Sequence, residues 1–302
     1  MNETIKLTYY IITICWYLVF LLLLLKIYFS NTKPYKTKPN EIININNLPN
    51  LTPAELSMLF YRKIIPEVFT SYIIKLIYKQ KISVSIENAD YIFKINRGNS
   101  YELIKSEQMI MDILFGSIGF NQSVKLSEIK SYSTSKYSAS EFLTNYYVWE
   151  RIIQKETLGY KYFEPKEGYR LLMMYKYIAI SLIIINLIMG YHYILAYCLF
   201  IPSLLLNYIF SQTYKRTKGA NVEYQKWLLF KRKLETLNEF EEEVDTGNIF
   251  KLLIYGVVLK TTKKMNNLTF DGMDELVVKL NEVVNECVKN ARLNGYREIK
   301  WK

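Results

Sequence analysis

Two kinds of hydrophobic pattern alternate along the chain. Unbroken apolar runs occupy 7–25 and 171–210, whereas the stretches between and after them carry apolar residues at the spacing of amphipathic helices. Leu7 to Leu25 is apolar apart from hydroxyls and one thiol. That is long enough to cross a hydrocarbon core about 30 Å thick, and it predicts a first span. No small-residue cleavage site follows Lys26-Ile27-Tyr28-Phe29, so residues 1–29 read as an uncleaved signal anchor. The run from Leu171 to Phe210 is broken only by Lys176 and His192, and as one helix it would extend about 60 Å, twice the core thickness. Gly190-Tyr191-His192-Tyr193 near its centre predicts a fold-back, with spans at 171–190 and 193–210.

Between these runs the pattern changes. Pro34, Pro39 and Pro49 among Lys, Asn and Thr make 30–49 a linker. Thr52-Pro53-Ala54-Glu55 combines a capping hydroxyl with a proline at the first helical position, and Leu56, Leu59 and Phe60 follow at helical spacing. Pro66-Glu67 opens a second helix with Phe69, Ile73, Leu76 and Ile77 on one face and Lys75, Lys79 and Lys81 toward solvent. Ser83–Ile86 and Tyr91–Ile95 alternate about a turn at Glu87–Asp90, which predicts a hairpin. Helices over 105–115 and 139–157 follow, the second through Phe142, Tyr146, Trp149 and Ile153. Two helices and a hairpin predict a winged-helix-like domain over 50–168.

After the second run, 215–302 reads as a helical region. Seven basic residues and one acid lie between Lys215 and Lys233, interleaved with Trp227 to Phe230, and six acids with no base lie between Glu235 and Asp245. Taken as one helix, these charges oppose the helix dipole, an order that contact with anionic headgroups would explain; an ordinary solvated face is the alternative. Ile249 to Leu259 predicts another helix. Met273, Leu276, Val277, Leu280, Val283, Val284, Cys287, Val288 and Ala291 mark a long helix with one apolar face, suited to packing within the chain or to self-association as a short coiled coil.

Charge orients the spans. Lys161, Lys166, Arg170 and Lys176 precede the apolar hairpin and Lys215, Arg216 and Lys218 follow it, while its turn has neither Lys nor Arg. Lys26, Lys33, Lys36 and Lys38 outnumber Lys6 across the first span. The expectation is a multi-pass cell-membrane protein with its amino terminus outside and its carboxy terminus cytoplasmic. The fold class expected is therefore a mainly α membrane protein of three transmembrane helices, with a winged-helix-like α+β cytoplasmic domain and a helical carboxy-terminal region.

Composition adds little chemistry. The net charge of +11 accompanies abundant Lys, Asn, Ile and Tyr, the usage of an AT-rich genome. Cys15, Cys198 and Cys287 are too dispersed for a disulfide framework or a zinc site. Neither catalytic, cofactor-binding nor metal-ligating residues are identified. Asn186, Asn207 and Pro202 within the apolar runs suit helix–helix packing better than a transport path.

The order of several landmarks resembles the cytoplasmic half of the YciQ-like predicted membrane proteins, a family of unknown function. These are Thr52-Pro53-Ala54-Glu55, Val68-Phe69-Thr70 leading to Leu76-Ile77-Tyr78-Lys79, Arg216-Thr217-Lys218-Gly219, and Leu253-Ile254-Tyr255-Gly256-Val257. The resemblance covers about 40–268. It implies a secreted β-rich domain ahead of the first span, which this sequence, with its first apolar run starting at Leu7, is expected to lack.

The leading functional expectation is a membrane-anchored cytoplasmic protein-interaction or scaffold module. Lys215, Arg216, Lys218, Lys226, Trp227, Lys231, Arg232 and Lys233 are its candidate contacts with the bilayer, through anionic headgroups, or with a partner protein. The alternative is a membrane-tethered nucleic-acid-binding regulator using Lys75, Lys79 and Lys81. An enzyme or transporter ranks third.

Overall fold

The computed structural model describes residues 51–96, 102–157, 162–164, 215–236, 246–262 and 272–299, with 25–30, Tyr35 and isolated positions within 8–23 and 173–208. The chain divides into two compact units, one formed by Met1–Thr37 and Lys161–Asn221, the other by Lys38–Tyr160 and Val222–Lys302.

In the larger unit the chain begins with helix α1 (Pro53–Tyr61). Thr52 Oγ1 accepts the Glu55 N–H at 3.2 Å and Glu55 Oε2 accepts the Thr52 N–H at 2.6 Å, so two of the donors that a helix start leaves open are satisfied reciprocally. Pro53 sits where its missing N–H costs nothing. Ser57 then fixes the turn into α2 (Pro66–Tyr78): its hydroxyl donates to the Lys63 carbonyl at 2.6 Å and accepts the Ile65 N–H at 3.2 Å.

Helix α2 is the centre of the unit. Nine of its 13 residues are buried, including Thr70 and Ser71 on the side that a one-faced helix would leave wet. It can be enclosed because other helices lie against it, among them α1, α3 (Lys105–Met111), α7 (Thr246–Leu259) and α8 (Met273–Ile299). The Ser71 hydroxyl donates to Glu67 O in its own helix at 2.9 Å, and also lies 3.1 Å from Ile254 O of α7. On another side Phe69 and Tyr72 meet Trp149 of α5 (Lys136–Thr157) edge-on, with centroids 5.0 and 6.1 Å apart. Each such aromatic, fully withdrawn from water, contributes about 2–3 kcal/mol.

After α2 a three-stranded antiparallel sheet forms in the order β1-β2-β3 from Ile82–Glu87, Asp90–Ile95 and Ser123–Lys125. Glu87 pairs with Asp90, leaving Asn88 and Ala89 as a two-residue turn with φ of 51° and 64°, the backbone that the twist of a hairpin demands. Between β2 and β3 the chain runs through α3 and a π-helical turn, Asp112–Ile118. Gly119 then admits a close approach: a Cβ there would lie 2.3 Å from Ser123 O. Helix α4 (Leu126–Tyr132) leads into α5.

Both carboxy-terminal helices complete this core. Leu252 to Leu259 of α7 are buried, and Tyr255 and Tyr61 tie the helix to the α1 region by hydrogen bonds to Leu51 O (2.9 Å) and Val258 O (3.1 Å). The α8 face of Leu276, Val277, Leu280, Val284, Cys287, Val288 and Ala291 is buried against α2, α4 and α5, which answers the choice between internal packing and self-association for that face. Helix α6 (Lys218–Thr236) buries Trp227, Phe230 and Leu234.

The smaller unit is described mainly around one short antiparallel bridge, Phe163 to Arg216. Glu164 N–H donates to Lys215 O and Thr217 N–H to Tyr162 O, both at 2.9 Å. Tyr35 joins them through its hydroxyl, 2.6 Å from Glu164 Oε1, and its carbonyl, which accepts from Asn221 Nδ2 at 2.8 Å.

The expected fold class needs correction. The protein is mostly helical with a small three-stranded sheet, and no helix among the described residues is long and apolar enough to cross a membrane, so three transmembrane helices are not supported. A span must be both about 20 residues long and apolar all round. The long helices α5 and α8, of 22 and 27 residues, carry charged faces, while the most apolar, α7, has 14 residues. The anchor within 1–29 and the hairpin at 171–210 fall largely outside the described residues, and the orientation inferred from their flanks loses its support with them. The winged-helix-like outline is superseded too. The hairpin is present, but its third strand arrives after α3 and the π-helical turn, and α2 and α4 are the helices packed against the sheet.

Candidate functional site

Lys75 and Lys79 lie one turn apart on α2, so their ammonium groups reach the same point. That point is Glu107, in the first turn of α3, whose side chain is fully buried. Lys75 Nζ is 3.1 Å from Oε1, and Lys79 Nζ is 2.8 and 2.9 Å from the two oxygens. Burial by itself would raise the Glu107 carboxyl. The hydrogen bond from Lys79 and the charge of Lys75 outweigh it and hold the group below the usual carboxylate range. Beside this trio, the Ser106 hydroxyl donates to Glu156 Oε2 at 2.7 Å and its N–H to Oε1 at 3.2 Å, and burial among these carboxylates pushes the Tyr72 phenol well up. A nucleic-acid phosphate would therefore have to compete with a buried carboxylate already held by both lysines. Lys81, the third residue of that group, is itself buried just before β1.

The candidate contact residues around α6 separate into three sets. Lys215 and Arg216 are engaged in the smaller unit: Lys215 Nζ lies 3.6 Å from Glu164 Oε2 and 4.1 Å above the Tyr35 ring, and Arg216 lies over Phe163. Trp227 is fully buried, its ring edge-on to Tyr255 at 4.9 Å and to Phe230 at 5.5 Å, so it belongs to the core and offers nothing to a bilayer surface. Lys218, Arg232 and Lys233 are exposed, with Lys226 and Lys231 partly so, and Lys226 stands 4.0 Å from Glu223. Helix α6 is described as far as Thr236, with Lys231 to Lys233 in the last turns of that range, and the acids from Glu239 onward lie outside the described residues.

A second polar cluster was not visible in the sequence. Glu67, at the start of α2, pairs with Lys260 beyond α7 at 3.0 Å, and Lys260 also lies 5.4 Å from the Tyr61 ring centroid. Burial pushes the Tyr61 hydroxyl up to about 12, with the Glu67 charge adding to it. On α5, burial raises the Glu150 carboxyl although Arg292 and Lys63 oppose it, and the buried Tyr146 hydroxyl beside it has no hydrogen-bond partner. Burial likewise pushes the Cys287 thiol up to about 11, which keeps it protonated and unreactive at neutral pH. Among the described residues no group of three or more His, Cys, Asp or Glu is placed to hold a metal ion.

Helix α5 presents the most contrasted surface. Ala139, Phe142, Leu143, Tyr146, Trp149 and Ile153 line its buried side, while Tyr137, Thr144, Tyr147, Val148, Arg151 and Lys155 are exposed on the other. Tyr137 is 80% exposed and Val148 42%. Aromatic residues with an arginine are the composition of contact surfaces more than of solvated ones.

No curated protein and no solved structure matches the chain. Residues 45–267 match a family described as the predicted membrane protein (DUF2207) C-terminal domain, a description consistent with membrane localisation. That stretch takes in every element from α1 to α7, both lysine groups and the two clusters built on Glu107 and Glu67, and on this match the chain belongs to the DUF2207 family of predicted membrane proteins.

Proposed function

We propose that the protein is a membrane-associated interaction module, in which the larger unit is a rigid body that offers the outer face of α5 to a partner protein. The observation that carries this reading is the division of α5 itself: one side packs the central aromatic cluster with Trp149, and the other holds Tyr137, Tyr147, Val148 and Arg151 in water. Helices built into a core by one side keep the opposite side stationary, so a partner meets side chains whose ordering has already been completed by folding. The engagement of both Lys75 and Lys79 by the buried Glu107 carboxylate weighs against their nucleic-acid reading.

In-cell crosslinking followed by purification of the full chain from the membrane fraction tests the proposal. A reproducible partner that is lost on Tyr147→Ala with Val148→Ser, at unchanged chain abundance, is the expected result. Recovery of the same partners from the double variant would exclude this face.

A further inference from the structure

We infer that the partner met by the outer face of α5 is a second copy of this chain, laid antiparallel so that Arg151 of each copy meets Glu141 of the other. The inference rests on the reading of α5 given above and names its occupant. Tyr137, Glu141, Thr144, Val148, Arg151 and Lys155 follow one another in alternating steps of four and three, the spacing that keeps a single line along a helix. Five of them are exposed; Glu141 is half-buried and gives one of its oxygens, Oε2, to the Tyr132 hydroxyl at 3.0 Å. Along this line the acid comes early and the two cations late. A two-fold contact requires a surface that complements itself. Antiparallel pairing centred at the level of Tyr146 sets Glu141 opposite Arg151 of the other copy, Tyr137 opposite Lys155, and Thr144 opposite Val148. These are an ion pair, a cation at an aromatic ring and a contact between methyl groups, so every pair in the line is favourable. Parallel pairing would instead set Arg151 on Arg151 and Lys155 on Lys155. Within one chain the late cations lack an acid: Arg151 and Lys155 stand one turn apart with like charge, and neither has an ion pair or side-chain hydrogen bond among the described residues. The helix dipole favours Lys155 in the last turn, whereas Arg151 lies before that turn. A carboxylate from another copy answers Arg151. With one aliphatic side chain in the line, the contact is polar and reversible, and it weakens as salt rises.

The test uses full chains carrying two different tags, co-expressed and recovered together by one of the tags. Wild-type chains should co-purify. Glu141→Arg chains should lose co-purification with their own kind by about tenfold or more, and Arg151→Glu chains likewise, because each change opposes like charges twice in a symmetric pair. Co-expression of the one variant with the other should regain it, since both ion pairs are then restored with their signs exchanged; misfolding of either variant could not produce that recovery. A second measurement leaves the charges of Glu141 and Arg151 untouched. In chains with Cys15 and Cys198 replaced by Ser, and with the buried Cys287 kept, a bis-maleimide spanning about 10 Å should link a Tyr137→Cys chain to a Lys155→Cys chain. It should not link two Tyr137→Cys chains, whose thiols antiparallel pairing holds about 27 Å apart. Equal linking in the two combinations would overturn the inference, as would co-purification indifferent to the charge changes. Wild-type chains that do not co-purify would overturn it too. If a different protein is then recovered and is lost on Tyr147→Ala with Val148→Ser, the α5 reading stands without the second copy; if none is, both fall.

Discussion

Glu107 shows how one side chain settles the meaning of two others. Its carboxylate is buried between Lys75 and Lys79, each about a quarter exposed, so loss of the negative charge leaves two lysines that can still turn partly to water. Glu107→Gln should therefore cost about 1–2 kcal/mol, below the value for a fully enclosed pair. The pH dependence has a definite sign. The folded pKa is depressed, so the contribution is present above the ordinary carboxylate range and lost as pH falls through the folded value. Urea denaturation should show the full gap between wild type and variant at pH 7, and a gap closing under acid conditions. Glu150 behaves oppositely. Burial raises its folded pKa, so its favourable contribution exists below the ordinary range and disappears as pH rises through the folded value. Glu150→Gln should raise the denaturation midpoint at pH 7, by less than about 1 kcal/mol because the group is half exposed, and give no gain near pH 4. Neither role was legible in the sequence. Glu107 meets Lys79 across 28 positions and a change of element, and no periodicity reports such a pair.

At the scale of elements, the sequence was informative wherever a cap or a period ran long enough. Thr52-Pro53-Ala54-Glu55 announced the start of α1 because the capping box is local chemistry, and the alternation within Ser83–Ile86 and within Tyr91–Ile95 announced the hairpin. β3 and α4, of three and seven residues, are too short to show a period, and the helix expected over 105–115 turns π-helical at Asp112. What places β3 is Gly119. A Cβ there would sit 2.3 Å from Ser123 O and 2.9 Å from Leu114 O, both backbone atoms that cannot yield without moving the strand. Gly119→Ala is expected to cost about 1–3 kcal/mol and to speed amide exchange at Ser123–Lys125. Gly116, three residues earlier, has nothing within 4 Å of the same position, and Gly116→Ala should leave both readouts close to wild type. Equal effects of the two substitutions would remove the role given to the close approach.

At the scale of the molecule, the sequence showed two regions flanking an apolar hairpin without showing whether they fold together, and the larger unit draws on both Lys38–Tyr160 and Val222–Lys302. The reason lies in α2. An amphipathic helix needs one covering layer, but this one is apolar on nearly every side and is finished only when α7 and α8 arrive. A fragment of residues 38–160 should accordingly lack a cooperative thermal transition, and co-expression with 222–302 should restore one. A cooperative transition in the first fragment alone would show that α2 tolerates an open side.

That arrangement also sets an order of events at the ribosome. The Phe69, Tyr72 and Trp149 cluster is synthesised first, yet α8, which covers α2 and α5, lies more than a hundred residues downstream, beyond the whole of 161–221. For the seconds that synthesis of this stretch takes, the nascent chain carries its largest aromatic side chains without their cover. The interval is one in which a holding chaperone has most to bind, and lengthening it with slow codons within 161–221 should lower the yield of folded protein without altering one residue of it.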